Sequence, residues 1–192
     1  MPLPVAGAYA GHSVAAELAA RSIGFHPRSA PKSVEPGAIE VDGERVLCDL
    51  AVVIPPHRPP EVVTASGLGG PAGWIPVDRA TLRTKAANVY AIGDVTAIPL
   101  ENGMMLPKAG VFAHAEAEVV AENIARRIRG DLRETAFDGH GTCFVEVGCG
   151  KAGMASGDFF ASPVPDISMQ RPNRLWHAGK VAFEQYWLRR WL

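Results

Sequence analysis

Apolar and polar positions fall in blocks along this chain, and one block is sharper than the rest. From Asn88 to Ile92 four of five residues are apolar, and the run stops on Gly93-Asp94. A short run of this kind predicts a strand covered on both faces of a parallel sheet. Gly93 permits close approach of another backbone or of a ligand. Asp94 then falls at the carboxyl end of the strand, where open α/β sheets bind ligands. A carboxylate there accepts hydrogen bonds from sugar or polyol hydroxyls. Met104-Met105-Leu106-Pro107-Lys108-Ala109-Gly110 leads into a helix predicted over residues 111–127. The unit is strand, Gly-Asp, short loop, Pro-Lys, helix.

The same patterning predicts the flanking elements. Residues 11–22 are alanine-rich, with Val14, Ala15 and Leu18 on one side, and read as a helix. A short strand begins over 23–26. Residues 39–46 form a hairpin about Asp42-Gly43, a strong turn dipeptide. The apolar run 47–54 predicts a buried strand ended by Pro55-Pro56, with Cys48 in the core. A short helix over 59–66 and a loop over 67–73 follow, and 74–78 lead back towards the Gly-Asp strand. Beyond Gly130, residues 142–147 and 151–160 read as antiparallel strands joined by Gly148-Cys149-Gly150. Residues 163–172 read as a proline-bearing loop, and 176–192 as a final helix. The fold class is α/β.

Composition narrows the function classes. A chain of 192 residues holds one or two small domains, and 47% hydrophobic residues can core them. A formal net charge of −1 leaves no electrostatic footprint for nucleic acid. No run approaches the roughly 20 apolar residues that span a bilayer. Met1-Pro2-Leu3-Pro4 has neither the charged region nor the apolar run of a secretory leader. Three cysteines, an odd number, do not suit a secreted disulfide framework, and no Cys/His spacing suggests a metal.

The Gly-Asp, Pro-Lys, helix unit resembles the second flavin-contacting motif of the two-dinucleotide-binding-domain flavoproteins, the pyridine nucleotide-disulfide oxidoreductases. The resemblance implies a Rossmann-like FAD/NAD(P)-binding fold with FAD as cofactor. Gly93, Asp94, Pro107, Lys108, Ala109 and Gly110 are the cofactor-binding residues it implies. Asp94 would hold the ribityl chain, and the helix would aim its N-terminus at the pyrimidine edge of the isoalloxazine. Unpaired N–H groups and about half a positive charge at a helix start favour the negative charge of reduced flavin there. The implied division is 1–73 as the remainder of an NAD-type domain, 74–132 as the C-terminal part of the FAD domain, and 133–192 as a hairpin-plus-helix region. The GxGxxG turn that seats the FAD pyrophosphate is not found, and Gly7-Ala8-Tyr9-Ala10-Gly11 has no preceding strand. The chain is therefore expected to be the C-terminal half of a flavoprotein, inactive alone.

Four segments point to one branch: Ile54-Pro55-Pro56-His57-Arg58-Pro59-Pro60, Leu106-Pro107-Lys108-Ala109-Gly110, the stretch from Gly141 to Gly148 about Cys143, and Trp176 to Trp187. They resemble the sulfide:quinone oxidoreductase and flavocytochrome c sulfide dehydrogenase branch. That resemblance implies electron transfer from sulfide to quinone, with Cys143 and Lys108 as catalytic residues. In those enzymes the cysteine at the Cys143 position lies over the flavin and pairs with one from the N-terminal half, and the resemblance implies the same here. Its thiolate is the nucleophile and needs a lowered pKa, which a flavin and a helix N-terminus can supply. By spacing alone, Cys143 reads as a small hydrophobe in a strand. Lys108 alone reads as a solvated lysine; by resemblance it lies near the flavin and the quinone pocket. Cys149 is an exposed turn residue without a role. His57 and His114 read as structural, and His140 and His177 share no ligand spacing.

On the terminal helix, Trp176, Phe183, Trp187 and Trp191 form one stripe, flanked by Arg174, Lys180, Arg189 and Arg190. This suits a membrane surface, or equally packing against the domain or a partner subunit. The quinone implied by the resemblance favours the membrane surface. The expected partners are sulfide, quinone, a membrane surface, and an N-terminal half or a second copy; the expected location is cytoplasmic or peripheral to a membrane. The rival readings are a type II NADH dehydrogenase-like or flavocytochrome c sulfide dehydrogenase-like flavoprotein, and an inert fragment or subunit.

Overall fold

The computed structural model describes residues 2–192. After a single 3₁₀ turn at Pro4–Ala6, helix α1 spans Gly7–Ala19. It starts earlier than its alanine-rich centre suggests, and Gly7 to Gly11 lie inside it. Strands β1 (Pro31–Glu35), β2 (Ala38–Val41) and β3 (Glu44–Leu47) form an antiparallel meander. Asp42 and Gly43 turn its second hairpin with φ of 52° and 84°, the left-handed pair such a turn requires. Helix α2 (Glu61–Ala65) and strand β4 (Ile75–Pro76) follow, and β4 pairs in parallel with β5 (Thr96–Ala97).

Helix α3 (Gly110–Ile128) forms where the pattern predicts it. Phe112, Glu116, Val119, Val120 and Asn123 make its buried stripe. Leu82, Ile98, Leu100, Leu106 and Phe137 complete the core around it. Phe112 meets Phe159 edge-on at 4.9 Å between ring centres. Buried Asn123 mimics a strand partner for Thr135, donating to its carbonyl and accepting from its N–H, both at 2.8 Å. That pair turns the chain back against the core after the helix.

Strands β6 (His140–Gly148), β7 (Lys151–Asp158) and β8 (Asp166–Asn173) make a second antiparallel meander. Helix α4 (Arg174–Trp191) closes the chain, its start capped by Asn173, whose side chain accepts from the Trp176 N–H at 2.9 Å. Helix α4 lies against the sheet with Gly179 beside the ring of Phe144, and Phe144 meets the Phe183 ring at a tilt.

Several expected elements differ. Residues 88–92 do not form a buried strand: Tyr90 makes one antiparallel bridge to Arg83, and Val89 and Ile92 are exposed. Residues 47–54 likewise fail beyond Leu47; Leu50, Val52 and Ile54 are 80%, 84% and 81% exposed, and Cys48 is half-buried rather than in the core. A strand is buried by its neighbours, and among the described residues no ladder flanks either run. Residues 23–26 form no strand. The predicted loop 163–172 holds β8 instead. Pro163 and Pro165 precede the strand, and Pro172 lies opposite a register shift on the edge, where its missing N–H leaves no ladder bond unmade.

Candidate functional site

The chain reaches Gly93 extended and then turns sharply through a 3₁₀ turn, Gly93–Val95. Gly93 has φ +73°, and a Cβ added there would sit 3.4 Å from the Ala113 methyl of α3. The left-handed turn is what favours glycine here; a side chain would reach ordinary contact with α3 without a clash. The Gly93 N–H donates to Glu116 Oε2 at 2.5 Å. The hydroxyl of Thr96 donates to the Gly93 carbonyl at 2.9 Å. Asp94 is exposed, and among the described residues only its carbonyl is hydrogen-bonded, by the Lys108 ammonium.

Lys108 also donates to the Thr96 carbonyl at 3.2 Å, and its Nζ lies 3.6 Å from the centre of the Trp74 ring. Burial pushes its pKa down, while Asp94 and Glu116 oppose that shift. Glu116 shows the converse. It is 1% exposed, and burial raises its pKa, assisted by Asp94 and opposed by the Gly93 N–H and Lys108. Three ionisable groups therefore share one small volume.

Helix α3 begins at this point. Ala109 is its N-cap and offers no side-chain bond, and the first turn holds no acidic residue. The N–H groups of Gly110 and Val111 are the unpaired donors of a helix start. A Cβ added at Gly110 would meet nothing within 4 Å. Gly93, Asp94, Pro107, Lys108 and Ala109 line one cleft with Glu116, and Gly110 opens the helix beside it. The six residues expected to hold a cofactor are thus brought together, by folding the loop after Asp94 back under Lys108.

Cys143 lies outside that cleft. It sits on β6 in a cross-strand row with Ala155 and Met169. Alternation puts it on the same sheet face as Gly141, where an added Cβ would strike the Phe112 ring at 2.6 Å. The thiol therefore shares its face with the first turn of α3. Its residue is exposed, yet burial of the sulfur raises its pKa, and no group of this chain opposes that shift. The lowered pKa expected of a nucleophile is not produced by these residues.

No family model matches the chain. It is 28% identical over 186 residues to the sulfide-quinone reductase of Aquifex aeolicus, covering 89% of this chain and 42% of that protein. It is 27% identical over 113 residues to the mitochondrial sulfide:quinone oxidoreductase of Mus musculus, covering 58% of this chain and 24% of that protein. The X-ray structure of the Aquifex aeolicus sulfide:quinone oxidoreductase superposes with a TM-score of 0.80 at 25% identity, over 92% of this chain and 44% of that one. Over most of its own length the chain resembles sulfide:quinone oxidoreductases in sequence and fold. It spans less than half the length of these relatives.

Two residues of the cleft escape a reading by motif. Glu116 is marked in the sequence only by being a carboxylate on the apolar stripe of α3, four residues after Phe112 and three before Val119. Trp74 carries no signal, because its partner Lys108 is distant in sequence. The aromatic stripe of α4 is half covered. Trp187 stacks on Phe183 and Trp191, and the His114 ring meets Trp187 and Trp191 edge-on at 4.9 and 5.6 Å. Phe183 and Trp191 nevertheless remain about half exposed. Among the described residues no helix is long and apolar enough to cross a membrane.

Proposed function

We propose that this chain supplies the flavin-holding and sulfur-handling part of an FAD-dependent oxidoreductase that passes electrons from sulfide to quinone. The observation that carries the proposal is the free Asp94 carboxylate beside the uncapped start of α3, in a chain homologous to sulfide:quinone oxidoreductases. The donor set suits FAD: a carboxylate for ribityl hydroxyls, unpaired N–H groups for the pyrimidine edge, and open space at Gly110. Gly93, Asp94, Pro107, Lys108, Ala109 and Gly110 are the proposed cofactor-binding residues. In this proposal 74–132 belong to a Rossmann-like FAD domain, 1–73 to an NAD-type domain, and 133–192 to a C-terminal region.

Bound FAD supplies two-electron chemistry, taking electrons from a thiolate and releasing them to a quinone. Lys108 holds the carbonyls of Asp94 and Thr96 and brings a positive charge to the cleft, which favours added negative charge. Cys143 is the proposed sulfur nucleophile. Its own surroundings, α3 included, favour the thiol, so its ionisation depends on groups from outside these residues. The half-exposed stripe of α4 is the proposed contact with the membrane that carries the quinone.

The test is a chimera in which this chain replaces the matching segment of the Aquifex aeolicus relative. FAD content and sulfide-dependent quinone reduction are read with and without Asp94→Ala. Retained flavin with turnover, lost on Asp94→Ala, supports the proposal; a flavin-free chimera, or one indifferent to Asp94→Ala, overturns it. The sequence holds no glycine-rich pyrophosphate turn, so turnover is expected of the chimera and not of the 192 residues alone.

A further inference from the structure

We infer that Glu116 is the positioning residue of the Gly93-Asp94 turn, setting where the Asp94 carboxylate stands. The inference deepens the proposed FAD site and rests on it only for the identity of the ligand.

The stripe of α3 asks for an apolar residue at position 116. Phe112, Val119 and Val120 on the same stripe fill the core. A carboxylate there is taken out of water, which is unfavourable unless a partner compensates. Its partner is the Gly93 N–H, 2.5 Å from Oε2. That N–H has no ladder to join, because the left-handed conformation of Gly93 turns the chain out of extended geometry at this residue. A backbone donor turned away from water towards the core needs a partner, and Glu116 supplies it across 23 residues of sequence in a part-buried bond.

The consequence falls on the next residue. The backbone is held on both sides of the Asp94 side chain. Glu116 grips the N–H before it, and Lys108 grips the carbonyl after it. The side chain between those two grips carries no hydrogen bond of its own among the described residues. A ligand group whose backbone is fixed and whose oxygens are unused is preorganised for binding. Glu116 touches nothing that reacts, so its part is to position, through one hydrogen bond, the residue that binds.

Amide hydrogen exchange of the 192-residue chain tests this, comparing wild type with Glu116→Met and Glu116→Gln. The methionine variant keeps the bulk and removes the acceptor; the Gly93 amide should exchange about 10- to 100-fold faster, with the α3 amides of Val119 and Val120 unchanged. The glutamine variant keeps an acceptor oxygen and should restore most of the protection. Where Glu116→Met does not fold, Glu116→Gln decides alone: losing a charge-assisted bond should move the Gly93 amide proton resonance upfield. Unchanged Gly93 exchange in folded Glu116→Met, or an unmoved Gly93 resonance in Glu116→Gln, overturns the inference.

In the chimera, Glu116→Met should weaken FAD binding about tenfold. Glu116→Met combined with Asp94→Ala should bind no more weakly than Asp94→Ala alone, because both act on one group. Additive losses would make Glu116 a structural residue only. A wild-type chimera without flavin would overturn the proposed function, while Gly93 exchange in this chain still decides the part played by Glu116.

Discussion

The ammonium of Lys108 lies 3.6 Å from the centre of the Trp74 ring while donating to the carbonyls of Asp94 and Thr96. One side chain thus fastens three segments: the approach to β4, the turn at Asp94, and the loop that opens α3. A lysine reaching across a cleft is often taken for a catalytic cation. Here its donors are already engaged by backbone, so its first effect is on the shape of the turn.

Trp74→Leu keeps an apolar side chain and removes the π face. The loss is expected at about 0.5–2 kcal/mol. For a chain of this size that lowers the melting temperature by about 2–4 °C per kcal/mol. Thermal unfolding followed by circular dichroism reads the shift; an unchanged melting temperature would mean that Lys108 is held by the two carbonyls alone.

Glu116 gives stability a pH dependence of unusual sign. Its carboxyl titrates above the ordinary range in the folded chain, chiefly through burial, with Asp94 adding to the shift and the Gly93 N–H and Lys108 opposing it. The folded state therefore holds this proton more tightly than the unfolded state does. Its contribution is fully present below the ordinary glutamate pKa of about 4.3 and is lost as pH rises through the raised folded value. Glu116→Gln removes that loss. Relative to wild type, the variant should gain stability as pH rises from about 4 to neutrality. Urea midpoints across that range measure it, and parallel curves would contradict it.

Much of this architecture is legible along the chain, and the reason is locality. The stripe of α3, the Asp42-Gly43 hairpin and the turn at Gly148-Cys149-Gly150 depend on residues close in sequence, and each forms where expected. The runs 47–54 and 88–92 are as apolar as buried strands, yet no sheet covers them: most of 47–54 is exposed, as are Val89 and Ile92, and in the second run only Ala91 is buried. Apolarity states what a strand would tolerate, and only a neighbouring ladder buries it. Strand β8 was hidden for the opposite reason, since prolines mask a strand that happens to lie at an edge. In the cleft, Asp94 and Lys108 stand in a motif, whereas Glu116 and Trp74 become visible only when α3 and β4 are brought against the turn.

Cys143 should be a slow nucleophile in the flavin-free chain. Burial raises its pKa, so at neutral pH its thiolate fraction falls below that of an ordinary cysteine. Iodoacetamide labelling of Cys143 is expected to lag behind a free-thiol standard at pH 7 and to climb as pH passes the ordinary thiol range. The same labelling in the flavin-loaded chimera should accelerate at neutral pH if the completed site supplies groups that favour the thiolate. Rapid labelling of the flavin-free chain at pH 7 would show that the local structure already activates the thiol.

The terminal helix separates packing from surface contact residue by residue. Trp187 is held by Phe183, Trp191 and His114, so Trp187→Ala should reduce stability before it affects any surface. Phe183 and Leu188 expose much of their apolar area and lie near Lys180, Arg189 and Arg190. Burying a half-exposed side chain of this size contributes about 1 kcal/mol, roughly a fivefold change in partitioning. Phe183→Ala with Leu188→Ala should therefore weaken binding to anionic vesicles by about tenfold or more; because Phe183 also packs on Phe144 and Trp187, thermal unfolding is followed in parallel and binding is compared between folded proteins. Basic residues add an attraction that salt screens, so binding should also fall between low and physiological ionic strength. Deleting residues 187–192 should weaken vesicle binding as well. Cosedimentation with vesicles measures all three; binding unaffected by the double substitution and by the deletion would assign the stripe to internal packing.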